Sequence, residues 1–211
     1  MGEKLNLWGR LSRTLDDLSD GLVPDGFSGQ IGVARDLVRA EDLDAALVVL
    51  EKILLEKADH AVALYLSGAI FQRRGDVTEA IARLTASVTS RPQFADALLA
   101  LGDTLVADGQ YAAAETQYRR VLHAAPDKSD RLSAVYCGLG DTHLRRGTLD
   151  RAVLDYRKAL LARGDDDRAA TSLAEAMLAL GRADTGEALA HLERLRERAP
   201  GKKMSERAEL A

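Results

Sequence analysis

Residues Ala95 to Lys128 read ADALLALGDTLVADGQYAAAETQYRRVLHAAPDK, and this stretch decides the fold. Leu98, Leu101, Gly102 and Leu105 recur at helical spacing. Asp108-Gly109-Gln110 is a turn signal. Tyr111, Ala114, Tyr118 and Val121 then mark a second helical stripe, which Pro126 stops. Moved by 34 residues, the template matches again: Gly102 falls on Gly68, Leu105 on Phe71, Ala114 on Ala80, Tyr118 on Leu84 and Pro126 on Pro92. Gly102 and Ala114 are small where two helices must approach, and Leu105 and Tyr118 are large where space must be filled. One helix pair cannot bury both of its faces, so a fixed period of this size means units stacked on one another.

The Leu-Gly pair, the large apolar residue three positions on, the Ala-x-x-x-aromatic run and the closing Pro together resemble the tetratricopeptide repeat. The resemblance implies an all-α fold: a right-handed superhelical solenoid of five helix-turn-helix repeats with an N-terminal amphipathic helix. The register places the repeats at 27–60, 61–94, 95–128, 133–166 and 167–202. In the first, Val33, Ala34 and Leu37 form one stripe and Ala46, Leu50 and Ile53 the other. Glu41-Asp42 stands there in place of the usual glycine turn, and Ala58 in place of the proline. Gly140 lies 38 residues after Gly102, so four extra residues separate repeats three and four. They fall in the polar stretch Asp127–Arg131, which reads as a longer loop. The fifth repeat opens with Leu173, Ala174 and Met177 and closes with Ala188, Leu192, Leu195 and Pro200. Residues 203–211 read as a C-terminal tail or short capping helix.

Residues 1–26 precede the repeats as an amphipathic helix and linker. Leu5, Trp8, Leu11, Leu15, Leu18 and Leu22 recur at steps of three or four, which makes one apolar stripe. Lys4, Arg10 and Arg13 lie in its first half, and Asp16, Asp17 and Asp20 in its second. That order opposes the helix dipole. Gly21 and Pro24-Asp25-Gly26 end it. The segment reads as a cap on the first repeat, with three other uses open: binding a partner, associating with another copy through Leu5, Trp8, Leu11, Leu15 and Leu18, or lying on a membrane. The mixed signs of its polar face disfavour the membrane.

Composition bounds the function. The chain is 46% hydrophobic but only 4% aromatic, which suits helices packed through small residues. A formal net charge of −4 argues against a nucleic-acid partner, which needs a basic surface. A single cysteine excludes an intrachain disulfide and fits a reducing cytoplasm. No apolar run reaches the ~20 residues of a membrane span, and residues 1–26 lack the unbroken apolar segment of a secretory signal. His60, His123, His143 and His191 are scattered, and no spacing suits a catalytic group, a metal or a phosphate loop. The chain therefore reads as non-catalytic, with no cofactor and no metal. Asp165-Asp166-Asp167 reads as a turn that favours the next helix start. His143 stands where other repeats have Leu37, Phe71, Leu105 and Met177, and reads as a half-buried packing residue. Cys137 reads as a small neutral residue on the groove-facing side.

The resemblance also implies where a ligand would sit, because in the family the first helix of each repeat lines a concave surface holding peptides or helices. By register that surface carries Ile31, Arg35, Val62, Tyr65, Asp96, Leu99, Asp103, Val106, Asp141, Leu144 and Glu175. These positions share one helical face. The front is apolar, through Ile31, Val38, Val62, Tyr65, Leu99 and Val106; Asp96, Asp103, Asp141 and Glu175 make the rear acidic. The partner expected is another protein, through an apolar, basic peptide or helix. Where the co-chaperone branch of the family holds acidic tails with Lys and Asn, this chain has Tyr65, Ala69, Leu99 and Asp103, so that clamp is absent. The function expected is an adaptor or scaffold for protein–protein interaction. The alternative is a self-assembling scaffold, or a regulatory subunit of an enzyme or motility complex, associating through the N-terminal helix.

Overall fold

The computed structural model describes residues 26–124 and 129–181, together with Gly186 and Glu193. Among the described residues there are nine α-helices and no strand: α1 Ser28–Arg39, α2 Leu43–Glu56, α3 Ala61–Arg74, α4 Val77–Ser90, α5 Ala95–Ala107, α6 Tyr111–Ala124, α7 Ser129–Arg145, α8 Leu149–Ala162 and α9 Asp167–Leu180. They follow one another as helix-turn-helix pairs, and the turn chemistry explains the breaks. Gly75 closes α3 with φ 87°, a left-handed conformation that glycine adopts without strain. In the first pair Glu41 takes that conformation, φ 65°, and Asp42 then caps α2 by accepting from Ala45 N at 3.1 Å.

The chain divides into two compact units, one ending at Gly109 and the other starting at Gln110. In the first unit each helix packs on the next in sequence, and α3 also meets α5. Leu50, Ile53, Leu66, Ile70, Leu84 and Leu98 are fully enclosed. Gly68 lets α3 lie on α4: a Cβ there would stand 2.8 Å from Leu84 Cγ. Polar ties recur about one period apart. Arg73 pairs with Glu41, Arg74 with Asp44, and Arg83 with Glu51 at 2.9 Å. Ser87 Oγ donates to the Ala61 carbonyl at 2.8 Å.

In the second unit α6 packs on α7, α7 on α8 and α8 on α9, and α7 also meets α9. Two tyrosine rings lie on two glycines of α7. The Tyr118 ring covers Gly138, and a Cβ at Gly140 would stand 2.5 Å from Tyr156 Cε1. Asp166 ties three elements together. It caps α9 by accepting from Ala169 N at 3.2 Å, accepts from Ser133 Oγ on α7 at 2.6 Å, and pairs with Arg163 at 2.9 Å. The Asp165–Asp167 run is thus a helix-starting turn.

Two expectations are corrected. The stretch Asp127–Arg131 is not all loop, because α7 starts at Ser129 and runs for 17 residues. Asp130 lies in its first turn, where a negative charge suits the dipole, and Arg163 reaches it at 3.3 Å. Val33 is not part of the buried stripe of α1 but 53% exposed. The buried face of α1 is Ile31, Ala34 and Val38, spaced by three and four, and Val33 points away from it. The amphipathic segment with Leu5, Trp8, Leu11, Leu15 and Leu18, and the tail 203–211, lie outside the described residues.

Candidate partner-binding groove

Each unit carries register positions of its own and is described by itself. In the first unit, Ile31 comes from α1, Val62 and Tyr65 from α3, and Leu99 and Val106 from α5. All are enclosed: Val62 and Tyr65 are 3% exposed, Leu99 7% and Val106 8%. The Tyr65 ring leans on Phe94 with centroids 5.1 Å apart, and the Arg91 guanidinium lies over Phe94. Arg35, Asp96 and Asp103 are half-buried. Arg35 Nε and Gln72 Oε1 are enclosed with no hydrogen-bond partner among the described residues.

Burial differs sharply between the helices of this unit. From Val62 to Ile70 every residue of α3 is buried, and α5 is buried without a break from Ala97 to Gly102. Runs of that length cover the whole circumference of a helix. The second helices α2 and α4 bury one stripe each and leave the opposite side in water.

In the second unit, Asp141 and Leu144 lie on α7 and Glu175 on α9, all half-buried. Asp141 accepts from the Tyr156 hydroxyl at 2.7 Å and pairs with Arg168. Burial, and then the Asp141 charge, push the Tyr156 phenol far above its ordinary range and keep it a donor. Arg168 already balances Asp141, so the acid fixes α8 and α9 against α7 as well as charging the surface. Leu144 packs against the cluster around Tyr156 and Leu173. Cys137 is enclosed with Ala159 and Ala169.

Two features lay beyond the reading of the sequence. His143 is buried, with Nδ1 3.2 Å from Thr148 Oγ1 and Nε2 3.5 Å from Asp155 Oδ2, and Lys158 reaches the same carboxylate at 3.0 Å. A histidine at an apolar register position was the available signal for that pair; nothing in the sequence marks Asp155 as buried. The second feature is an exposed apolar pair on one helix of each unit, Val48 with Leu55 on α2 and Leu154 with Leu161 on α8. Both pairs occupy the same register, which could have revealed them. Among the described residues no helix is long and apolar enough to cross a membrane.

Comparison with known proteins accords with this architecture. One tetratricopeptide repeat pattern matches residues 33–82 and 68–129, and another matches 133–166. No curated protein matches the chain significantly in sequence. Several solved structures share the fold at low identity. MamA 41-end from Desulfovibrio magneticus RS-1 is 20% identical with a TM-score of 0.71, over 86% of this chain and 100% of that one. TTC0263, a thermophilic TPR protein of Thermus thermophilus, is 24% identical with a TM-score of 0.65, over 82% and 92%. YrrB, a TPR protein with an unusual peptide-binding site, is 17% identical with a TM-score of 0.66, over 95% and 98%. With its paired helices, its glycines under large side chains and these matches over most of its length, the chain belongs to the tetratricopeptide repeat family.

Proposed function

We propose that this chain is a non-catalytic adaptor or scaffold that takes an apolar, basic segment of another protein on the register face of its first unit. Tetratricopeptide repeats are protein–protein interaction modules, and the proposal concerns which surface is used and for what chemistry. One observation carries it. The half-buried carboxylates Asp96 and Asp103 stand on the same face of α5 as the apolar Leu99 and Val106. Such a face is built to be covered by apolar side chains, and its carboxylates favour a cation beside them. YrrB, a TPR protein with an unusual peptide-binding site, is in keeping with this use.

The test is a peptide array of amphipathic segments carrying Lys and Arg, with matched copies carrying Glu and Asp. The chain should retain the basic set, and raised salt should weaken retention. Asp96→Lys with Asp103→Lys should reverse the preference with the helical circular dichroism unchanged. Asp141 is the wrong residue to reverse, because it holds Tyr156 and Arg168. Equal retention of the two sets, or a preference unmoved by the reversal, would show that these carboxylates play no part in choosing a partner.

A further inference from the structure

We propose that the partner segment carries a carboxylate as well as a base: an acidic side chain meets Arg35 on α1, and the segment runs extended from there across α3, bringing its Lys or Arg beside Asp96 and Asp103 on α5. This rests on the partner-site reading above and adds the polarity and conformation of the segment.

The arginines of the first unit have partners. Arg39 pairs with Asp36 at 3.2 Å, Arg73 with Glu41, Arg74 with Asp44, and Arg83 with both Glu51 and Glu79. Arg91 lies over the Phe94 ring. Among the described arginines of this unit, Arg35 alone has neither a carboxylate nor a ring. Its own helix offers none. The positions three and four residues away hold Ile31, Gly32, Val38 and Arg39, and none is acidic. Yet Arg35 is half-buried, and its Nε is enclosed with no hydrogen-bond partner among the described residues. A guanidinium drawn out of water without a counter-ion costs stability. A carboxylate arriving on this face offsets that cost, and it matches the planar donor fork with two parallel hydrogen bonds.

Gln72 on α3 has the opposite need. It too is half-buried, and its Oε1 is an enclosed acceptor with no donor among the described residues. By register Arg35 aligns with Ala69 on α3 and Asp103 on α5, and Gln72 stands one turn on from Ala69. An occupant that satisfies both brings an acceptor for Arg35 and a free N–H for Gln72. A helix commits its interior N–H groups to its own carbonyls. An extended segment keeps its main chain available, and peptides held this way take affinity from main-chain hydrogen bonds. Packed helices lie ~8–10 Å apart and an extended chain rises ~3.3 Å per residue, so two helix steps from α1 to α5 place the base about five or six residues from the acid.

The test is fluorescence anisotropy on the full chain with labelled peptides blocked at both ends, so that only side chains carry charge. The parent peptide holds one Glu and one Lys five residues apart with apolar residues between them. It is made in both chain directions, and the tighter binder is used. Replacing its Glu by Gln should weaken binding to wild type about tenfold. Arg35→Gln should weaken the parent equally and leave the Gln peptide unaffected, which is the signature of direct coupling. Arg35→Glu should prefer a peptide with Lys in place of Glu. Arg35→Met removes an unpaired charge and should not lower the urea midpoint. Equal wild-type affinity for the Glu and Gln peptides would overturn the inference, as would a Glu preference that persists in Arg35→Gln. A lower midpoint for Arg35→Met would make the arginine a structural residue and overturn it too. So would a Glu preference shown only by a helix-forming peptide with its charges eleven residues apart. Replacing the peptide's Lys by Gln separates the two readings. If that change weakens binding while the Glu makes no difference, the partner site stands without the Arg35 contact. If neither charge matters, or no peptide binds, the partner site falls with it.

Discussion

At the scale of single residues, the fold depends on where side chains are missing. Tyr156 is fully buried, and its hydroxyl is fixed on Asp141 at 2.7 Å. Its ring therefore has no room to yield when a Cβ appears 2.5 Å away at Gly140. Gly140→Ala should destabilise by about 1–3 kcal/mol through overpacking. Gly32, inside α1, has nothing within 4 Å of its would-be Cβ. Gly32→Ala should stabilise by about 0.5–1 kcal/mol, because alanine loses less freedom in a helix. Urea midpoints check both, and the two shifts should have opposite signs. This contrast was legible in the sequence, because Gly140 sits in the repeat pattern and Gly32 does not. The buried pair of His143 and Asp155 was not, because its members meet across α7 and α8 and neither position alone names its partner.

At the scale of elements, helix identity was legible and helix boundaries less so. The small and large residues of each pair recur at a fixed period, and that period fixes which faces meet. The start of α7 follows instead from contacts outside its own sequence. Ser129, Asp130 and Arg131 are polar enough for loop or helix, and the Arg163 tie to Asp130 falls on the helical side. The register likewise gives the direction of the groove residues but not what lies against them, so the dryness of Tyr65 and Leu99 could not be anticipated. Asp166 is the most consequential single tie between elements. Asp166→Ala removes the α9 cap and leaves the buried Ser133 hydroxyl without its acceptor. The expected loss is about 2 kcal/mol. Asp166→Asn keeps a cap but gives up the charge toward Arg163, and should lose less. Hydrogen exchange should show the first turn of α9 opening before the rest of the second unit in the Ala variant, and denaturant midpoints give the totals.

At the scale of the whole molecule, the repeat register sorts what faces water as well as what is packed. Leu55 and Leu161 are 85% and 86% exposed, and Val48 and Leu154 lie one heptad before them on α2 and α8. The two pairs stand 106 residues apart, three periods plus the four-residue insertion. Pattern alone would class all four as core, since each is a large apolar residue in an amphipathic helix. Their position opposite Leu50 on α2 and Tyr156 on α8 assigns them to the outer side instead. A leucine in water contributes little to folding, so Leu55→Lys and Leu161→Lys should each change stability by no more than about 0.5 kcal/mol. Leu50→Ala, on the buried side of the same helix as Leu55, should cost about 2–5 kcal/mol. The comparison is made at several protein concentrations, because mass action makes any stabilisation by a second copy depend on them. If Leu55→Lys loses more than about 1 kcal/mol in concentrated protein and nothing in dilute protein, the outer stripe of α2 is covered by association between copies, and the self-assembling scaffold becomes the better account of the chain. A small, concentration-independent change leaves the outer face in water and keeps partner recognition on the register face.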